Sequence, residues 1–143
     1  MLEGSEGLFS DLIATKTRDK VNREKTIESI KKNLSSWMKT KYFNKFRNQR
    51  LDLAIIARVN KQRMETQDVD NIAKVVLDAL RKKDKAGFKR DAFLFYNDSQ
   101  VVRLLVYKIP REEDEMYDTD GLDISFRIHD PQKQMILTPV NQI

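Results

Sequence analysis

The spacing of hydrophobic positions changes repeatedly along the chain, and each change marks an element. From about Asp19, Val21, Ile27, Ile30, Leu34, Trp37 and Met38 fall near one side at helical spacing. Tyr42, Phe43 and Phe46 continue the pattern after a break at Ser35-Ser36, and Trp37 and Phe43 are read as core anchors. The opposite side carries Arg23, Lys25, Lys31, Lys32, Lys39, Lys41 and Lys45. At Leu51 the period drops to two: Leu51, Leu53, Ile55, Ala57 and Val59 share one face of a strand, with Asp52, Ala54, Ile56, Arg58 and Asn60 on the other. Lys61–Gln67 is a polar connector. A helix follows over about Asp70–Lys83, with Ile72, Ala73, Val76, Ala79 and Leu80 inward and Asp70, Asn71, Lys74, Asp78 and Arg81 outward.

Asp84–Asp91, with Gly87, reads as a loop, and Phe93, Leu94 and Phe95 as packed residues. Val101–Ile109 is apolar on nearly both faces, which predicts a central strand, and Pro110 ends it. After an acidic turn, Leu122, Ile124, Phe126 and Ile128 alternate with Asp123, Ser125, Arg127 and His129, the last read as a strand-end surface residue. Residues 1–18 lack sustained periodicity and are expected to be a flexible arm or an edge strand, leaving 19–143 as the folded domain. The order helix, strand, helix, strand, strand predicts an α/β fold: a compact single domain with a mixed β-sheet packed against helices.

Composition narrows the class. A chain of 143 residues, 40% hydrophobic with 4 Gly and 3 Pro, is globular and suits one domain. No run reaches the roughly 20 apolar residues of a membrane span, and the N-terminus lacks a secretory signal pattern. The absence of cysteine removes disulfides and thiolate chemistry and fits a reducing cytoplasm. The single histidine, His129, argues against a His-based zinc site. Net charge is +5 but uneven: Lys16–Arg50 holds twelve Lys/Arg against Asp19, Glu24 and Glu28, whereas Arg111–Asp123 holds seven acids against Arg111 alone. A basic half and an acidic half suit an enzyme that grips a polyanion while holding metal. Lysines 31, 32, 39, 41 and 45 are the candidate nucleic-acid contacts, with Lys20 and Arg23 beside them; for each, an ordinary solvated cation is the competing reading.

The candidate chemistry lies in Gln67-Asp68-Val69-Asp70-Asn71-Ile72-Ala73-Lys74 and in Tyr96-Asn97-Asp98-Ser99-Gln100. Asp68 and Asp70 stand where a strand gives way to a helix, Lys74 is one turn further on, and Asp98 precedes the next strand. Clustered carboxylates repel one another and are comfortable around a divalent cation, and Mg²⁺ takes a few carboxylates plus water and phosphate oxygens. If the second strand pairs near the first, Asp98 is expected to approach Asp68 and Asp70. Lys74 would then hold a phosphate or stabilise charge in the transition state. The competing reading is a helix cap, with Asp70 near the N-cap and Lys74 as its ion-pair partner. Asp78, Asn71, Ser99 and Gln100 are supporting candidates. Asp114, Asp118 and Asp120 lack the spacing of a calcium loop.

These residues resemble the RusA-type Holliday-junction resolvases. The likeness rests on a strand feeding D-V-D-N-I-A-K, then V-V-L-D-A-L, then N-D-S-Q-V-V opening a strand, and it covers roughly Leu51–Ile128. It implies a RusA-like fold and a homodimeric, Mg²⁺-dependent endodeoxyribonuclease, Mn²⁺ able to substitute, that resolves four-way DNA junctions by paired symmetric nicks in recombination and repair. It also implies metal binding by Asp68, Asp70 and Asp98 and a catalytic role for Lys74; Asn97 stands where members often carry Asp. The N-terminal part departs, since no proline occurs before Pro110 and residues 1–18 show no Pro-rich DNA-binding loop. The alternatives are a non-cleaving nucleic-acid-binding or phage-regulatory protein of the same fold, and a nuclease for another DNA structure.

Overall fold

The apolar alternation of Leu51–Val59 produces strand β2, which becomes the axis of the domain. A computed structural model describes residues 1–16, 18–39, 43–83, 92–111 and 119–137, with the backbone alone at Phe43. Its elements are β1 (Glu6–Asp11), α1 (Lys20–Met38), β2, a short α2 (Lys61–Thr66), α3 (Val69–Leu80), β3 (Val101–Pro110) and β4 (Gly121–Ile128). The four strands form one mixed sheet in the order β1-β4-β2-β3. β2 runs parallel to β3 and antiparallel to β4, and β1 is antiparallel to β4. Parallel neighbours need a long crossover, which α2 and α3 supply. A mixed sheet packed against helices is the architecture the alternating pattern predicts.

The core lies where one face of the sheet meets α1 and α3. Leu53, Ile55, Ala57 and Val59 point into it with Leu122, Ile124 and Phe126, against Ile27, Ile30 and Leu34 of α1 and Ile72, Val75, Val76, Ala79 and Leu80 of α3. Trp37, Phe46 and Phe126 close one end as an aromatic cluster, with Trp37 edge-on to Phe126 at 5.1 Å. Such offset and edge contacts favour ring pairs beyond simple burial. α1 continues unbroken through Ser35 and Ser36 to Met38, and Val21, expected inward, is exposed on its first turn. Thr26 ties α1 to the chain after β1: its hydroxyl accepts from the amides of Ile13 and Ala14 and donates to the carbonyl of Ala14. The unpatterned N-terminal region therefore contributes an edge strand and a loop held to α1. Among the described residues no helix is long and apolar enough to cross a membrane.

β3 corrects one expectation. Its two-sided apolar pattern predicts a central strand, but β3 is an edge, and Val102, Leu104, Tyr107 and Ile109 are all exposed. On the face away from the helices, Asp52 is fully buried and accepts from Arg103 Nε and Nη2 (2.8 and 2.5 Å) and Arg127 Nε (3.1 Å), with His129 Nδ1 at 2.8 Å. His129 is thus built into the sheet and is no free surface residue. Burial alone would raise the Asp52 pKa; the hydrogen bonds from Arg103, His129 and Arg127 overcome it and hold the carboxyl at about 2. Further along that face, burial raises the pKa of Asp123 against the opposing charge of Arg58.

Candidate active site

Asp68 is the N-cap residue of α3, and its extended backbone (φ −79°, ψ 134°) is what a cap requires, yet its side chain makes no capping hydrogen bond. Asp70 lies in the first helical turn. Both are exposed, as is Lys74 one turn on, and none of the three side chains has a hydrogen-bond or ion-pair partner among the described residues. Asp70 thus stands near the N-cap, as the cap reading expects, but Lys74 does not neutralise it, so the ion-pair half of that reading fails. Asp52, Asp78, Asp98, Asp120 and Asp123, by contrast, all sit in ion pairs. Two carboxylates and an ammonium group are left unengaged at the end of one helix. The positive end of the helix dipole favours anionic groups there.

The ground beneath them is densely hydrogen-bonded. Asn60 caps α2 by accepting from the amide of Arg63 at 2.8 Å. Asp120, nearly buried, accepts from the Asn60 amide, Arg63 Nη1 and Arg111 Nε at 2.8–3.0 Å. Arg63 also donates to the carbonyls of Leu12 and Ile13. Gln67 Nε2 donates to Thr15 Oγ1 at 2.8 Å and to the Asp68 carbonyl at 3.1 Å. The loop after β1 is thereby tied to the residue that opens α3. Pattern reading gives Asp120, Arg63, Thr15 and Gln67 no role in holding the site because their partners are remote in sequence; Asp120 enters it only as one of three acids without calcium-loop spacing.

Asp98 lies elsewhere. It opens a 3₁₀ turn, Asp98–Gln100, which leads directly into β3, and Arg81 Nη1 donates to its Oδ2 at 3.0 Å. Arg81 follows the last residue of α3, so Asp98 is at the C-terminal end of the helix whose N-terminal end carries Asp68 and Asp70. Twelve helical residues span about 18 Å. The register agrees: Leu51 pairs with Val101, so Asp98 lies at the end where β2 enters the sheet, whereas Asp68 follows the end where β2 leaves it. The expectation that Asp98 approaches Asp68 and Asp70 within one chain is therefore corrected. The crossover between parallel strands carries the chain back along the full height of the sheet before β3 begins. Among the described residues no three His, Asp or Glu side chains come together as a metal group.

The surroundings of Asp98 are ordered. Asn97 and Gln100 form a capping box over its turn, and Gln100 Nε2 donates to the carbonyls of Arg47 and Gln49. Asp98 Oδ1 is buried without a hydrogen-bond partner among the described residues. Asp78 belongs to an ion-pair hub: Arg23 at 2.6 Å and Arg81 at 3.1 Å join it, fastening α1 to α3. Arg23 is accordingly a structural cation.

Of the candidate nucleic-acid lysines, Lys32, Lys39 and Lys45 are exposed. Lys31 is 1% exposed and donates to the carbonyl of Ala92 at 2.8 Å, so it cannot meet a phosphate; its place on the helix points it into the core boundary. Lys41 lies outside the described residues, as do Tyr42, the Phe43 side chain, the 84–91 loop, Asp114 and Asp118.

No curated protein matches the chain. A protein-family profile described as Endodeoxyribonuclease RusA matches it over residues 8–117, from within β1 to beyond β3.

Proposed function

Because this chain belongs to the RusA endodeoxyribonuclease family, we propose that it resolves four-way DNA junctions at a site shared between two copies. Asp68, Asp70 and Lys74 come from one subunit, and Asp98 of the partner subunit completes it. The observation that carries the reading is the pairing of two incomplete features. One end of α3 presents unengaged charged groups, while β3, patterned like a buried central strand, lies bare at the sheet edge with Val102, Leu104, Tyr107 and Ile109 exposed. A long apolar edge strand invites pairing with another chain. Antiparallel pairing of β3 with β3 of a second copy, about a two-fold axis, makes both strands central in a continuous sheet. It also sets the start of one β3 beside the end of the other. The end of β3 already touches the segment that carries Asp68, since Lys108 Nζ donates to the Met64 carbonyl in α2.

The donor set fits a hard cation. Only oxygen donors are on offer, because the chain has no cysteine and its one histidine serves Asp52. When bound, Mg²⁺, or Mn²⁺ in its place, supplies Lewis-acid polarisation of the phosphate and a water of lowered pKa. Asp68, Asp70 and Asp98 of the partner subunit would hold it. Lys74, four residues after Asp70 on the same helix face, neutralises charge on the scissile phosphate. Two such sites related by the dyad give paired nicks on a substrate that is itself nearly two-fold. Lys32, Lys39 and Lys45 contribute phosphate contacts that carry no base preference.

Titration of Mg²⁺ into the protein with an end-labelled four-way junction tests this. Symmetric nicks that require the metal are expected. Tight binding without products would overturn the nuclease reading, and products from flaps or damaged duplex in place of the junction would reassign the substrate.

A further inference from the structure

Beside Asp98 the surface carries an aromatic group that the core does not use. Tyr96 is 44% exposed, and its hydroxyl has no partner among the described residues. Its ring leans on the buried ring of Phe93, with centroids 5.3 Å apart. Cations gather around the pair: Lys82 Nζ lies 5.7 Å from both centroids, and the Arg47 guanidinium lies 3.9 Å over Phe93. The pair is held in place by its backbone. The amides of Tyr96 and Asn97 donate to Gln100 Oε1, and the amide end of the same side chain donates to the carbonyls of Arg47 and Gln49. The Lys82 amide donates to the Phe95 carbonyl and the Leu94 amide to that of Leu80, so the end of α3 is tied in as well. An exposed aromatic ring fixed by backbone hydrogen bonds and ringed by cations costs little ordering entropy to engage. That combination suits a nucleobase outside a duplex stack: ring on ring, with the cations near the phosphates.

We propose that Tyr96, backed by Phe93 and flanked by Lys82 and Arg47, is a stacking platform for an unstacked base next to the scissile phosphate of a branched DNA. The proposal rests on the nuclease reading above, which places Asp98, two residues further on, at the metal. Opening a four-way junction at its branch point, where stacking is interrupted, exposes such a base at lower cost than opening a continuous duplex. The platform therefore favours the junction over duplex, a preference that phosphate contacts alone do not provide.

The test is a binding cycle with the full-length protein in Ca²⁺, with no cleavage in progress, using a four-way junction, the same junction with abasic nucleotides at the branch point, and linear duplex. Tyr96→Ala is expected to weaken junction binding about tenfold or more, the range of one lost base–aromatic stack. Tyr96→Phe should stay within about twofold of wild type, because stacking needs the ring alone. Duplex binding should be unaffected, and on the abasic junction Tyr96→Ala should cost nothing further. Lys82→Gln gives a second variant that spares the ring, and it should lose affinity for the junction more than for duplex. Wild-type affinity of Tyr96→Ala for the intact junction, or an equal loss on intact and abasic junctions, overturns the platform. Metal-dependent cleavage by the wild-type protein is scored separately. A protein that cuts but fails the cycle loses the platform alone, and one that passes the cycle but never cuts loses the nuclease reading alone.

Discussion

Asp52→Asn tests how the sheet holds the strand that follows Asp98. The carboxylate is fully buried between Arg103 on β3, Arg127 on β4 and His129 just beyond β4, so it binds three strands together, and Arg103 is five residues after Asp98. The substitution keeps shape and volume but leaves Arg127, itself 4% exposed, without a counter-charge. Breaking a buried pair in this way costs about 3–5 kcal/mol. The proton linkage gives an independent magnitude. The carboxyl falls from 3.8 to about 2 on folding, and at 1.36 kcal/mol per pKa unit this is worth about 2 kcal/mol. The folded-state pKa is the lower one, so this contribution is complete above about pH 4 and is lost as the pH falls towards 2. Roughly 1 kcal/mol should be gone by pH 3. Urea unfolding of wild type and Asp52→Asn at pH 6 and pH 3 reads both quantities. The mutant should be less stable at pH 6, and the gap should narrow by about 1 kcal/mol at pH 3. A gap under about 1 kcal/mol at pH 6, or one that does not change with pH, refutes the reasoning.

Asp70→Asn should abolish cleavage while junction affinity stays at the wild-type level, and Lys74→Met should lower kcat about a hundredfold or more with little change in KM; steady-state nicking and filter binding decide. Lys32→Gln should lower the slope of log affinity against log salt by about one contact, whereas Lys31→Gln should leave that slope alone and lower the melting temperature, because Lys31 is buried against Ala92. Tyr107→Glu on the bare face of β3 should yield monomers in sedimentation and lose metal-dependent nicking, with the fold intact by circular dichroism.

What the sequence shows and what it hides divide along physical lines. β2, α3 and β4 are legible because each buries one clean face, so Leu51–Val59, the Ile72–Leu80 stripe and Leu122–Phe126 announce their periods. β1 is not, because only Leu8, Ser10 and Leu12 turn inward along a short edge interrupted by Gly7. β3 misleads: its pattern reports burial, but the burial is absent from a single chain. As a candidate group, Asp68, Asp70 and Lys74 could be read from their spacing, with a helix cap as the competing reading. The place of Asp98 could not, because strand order and crossover direction decide it, and both arise from contacts between remote residues. Lys31 shows the same limit, since a lysine on a helix that looks solvated finds a carbonyl of the 92–97 segment in the fold.

The central claim is that the carboxylates meet between subunits, and mixing two dead proteins tests it most directly. Asp70→Asn and Asp98→Asn should each be inactive alone. Co-refolded in equal amounts, about half the dimers should be mixed, each with one intact site, giving metal-dependent nicking at about a quarter of the wild-type rate. No recovery of nicking in a mixture shown to contain the mixed dimer would contradict the shared site.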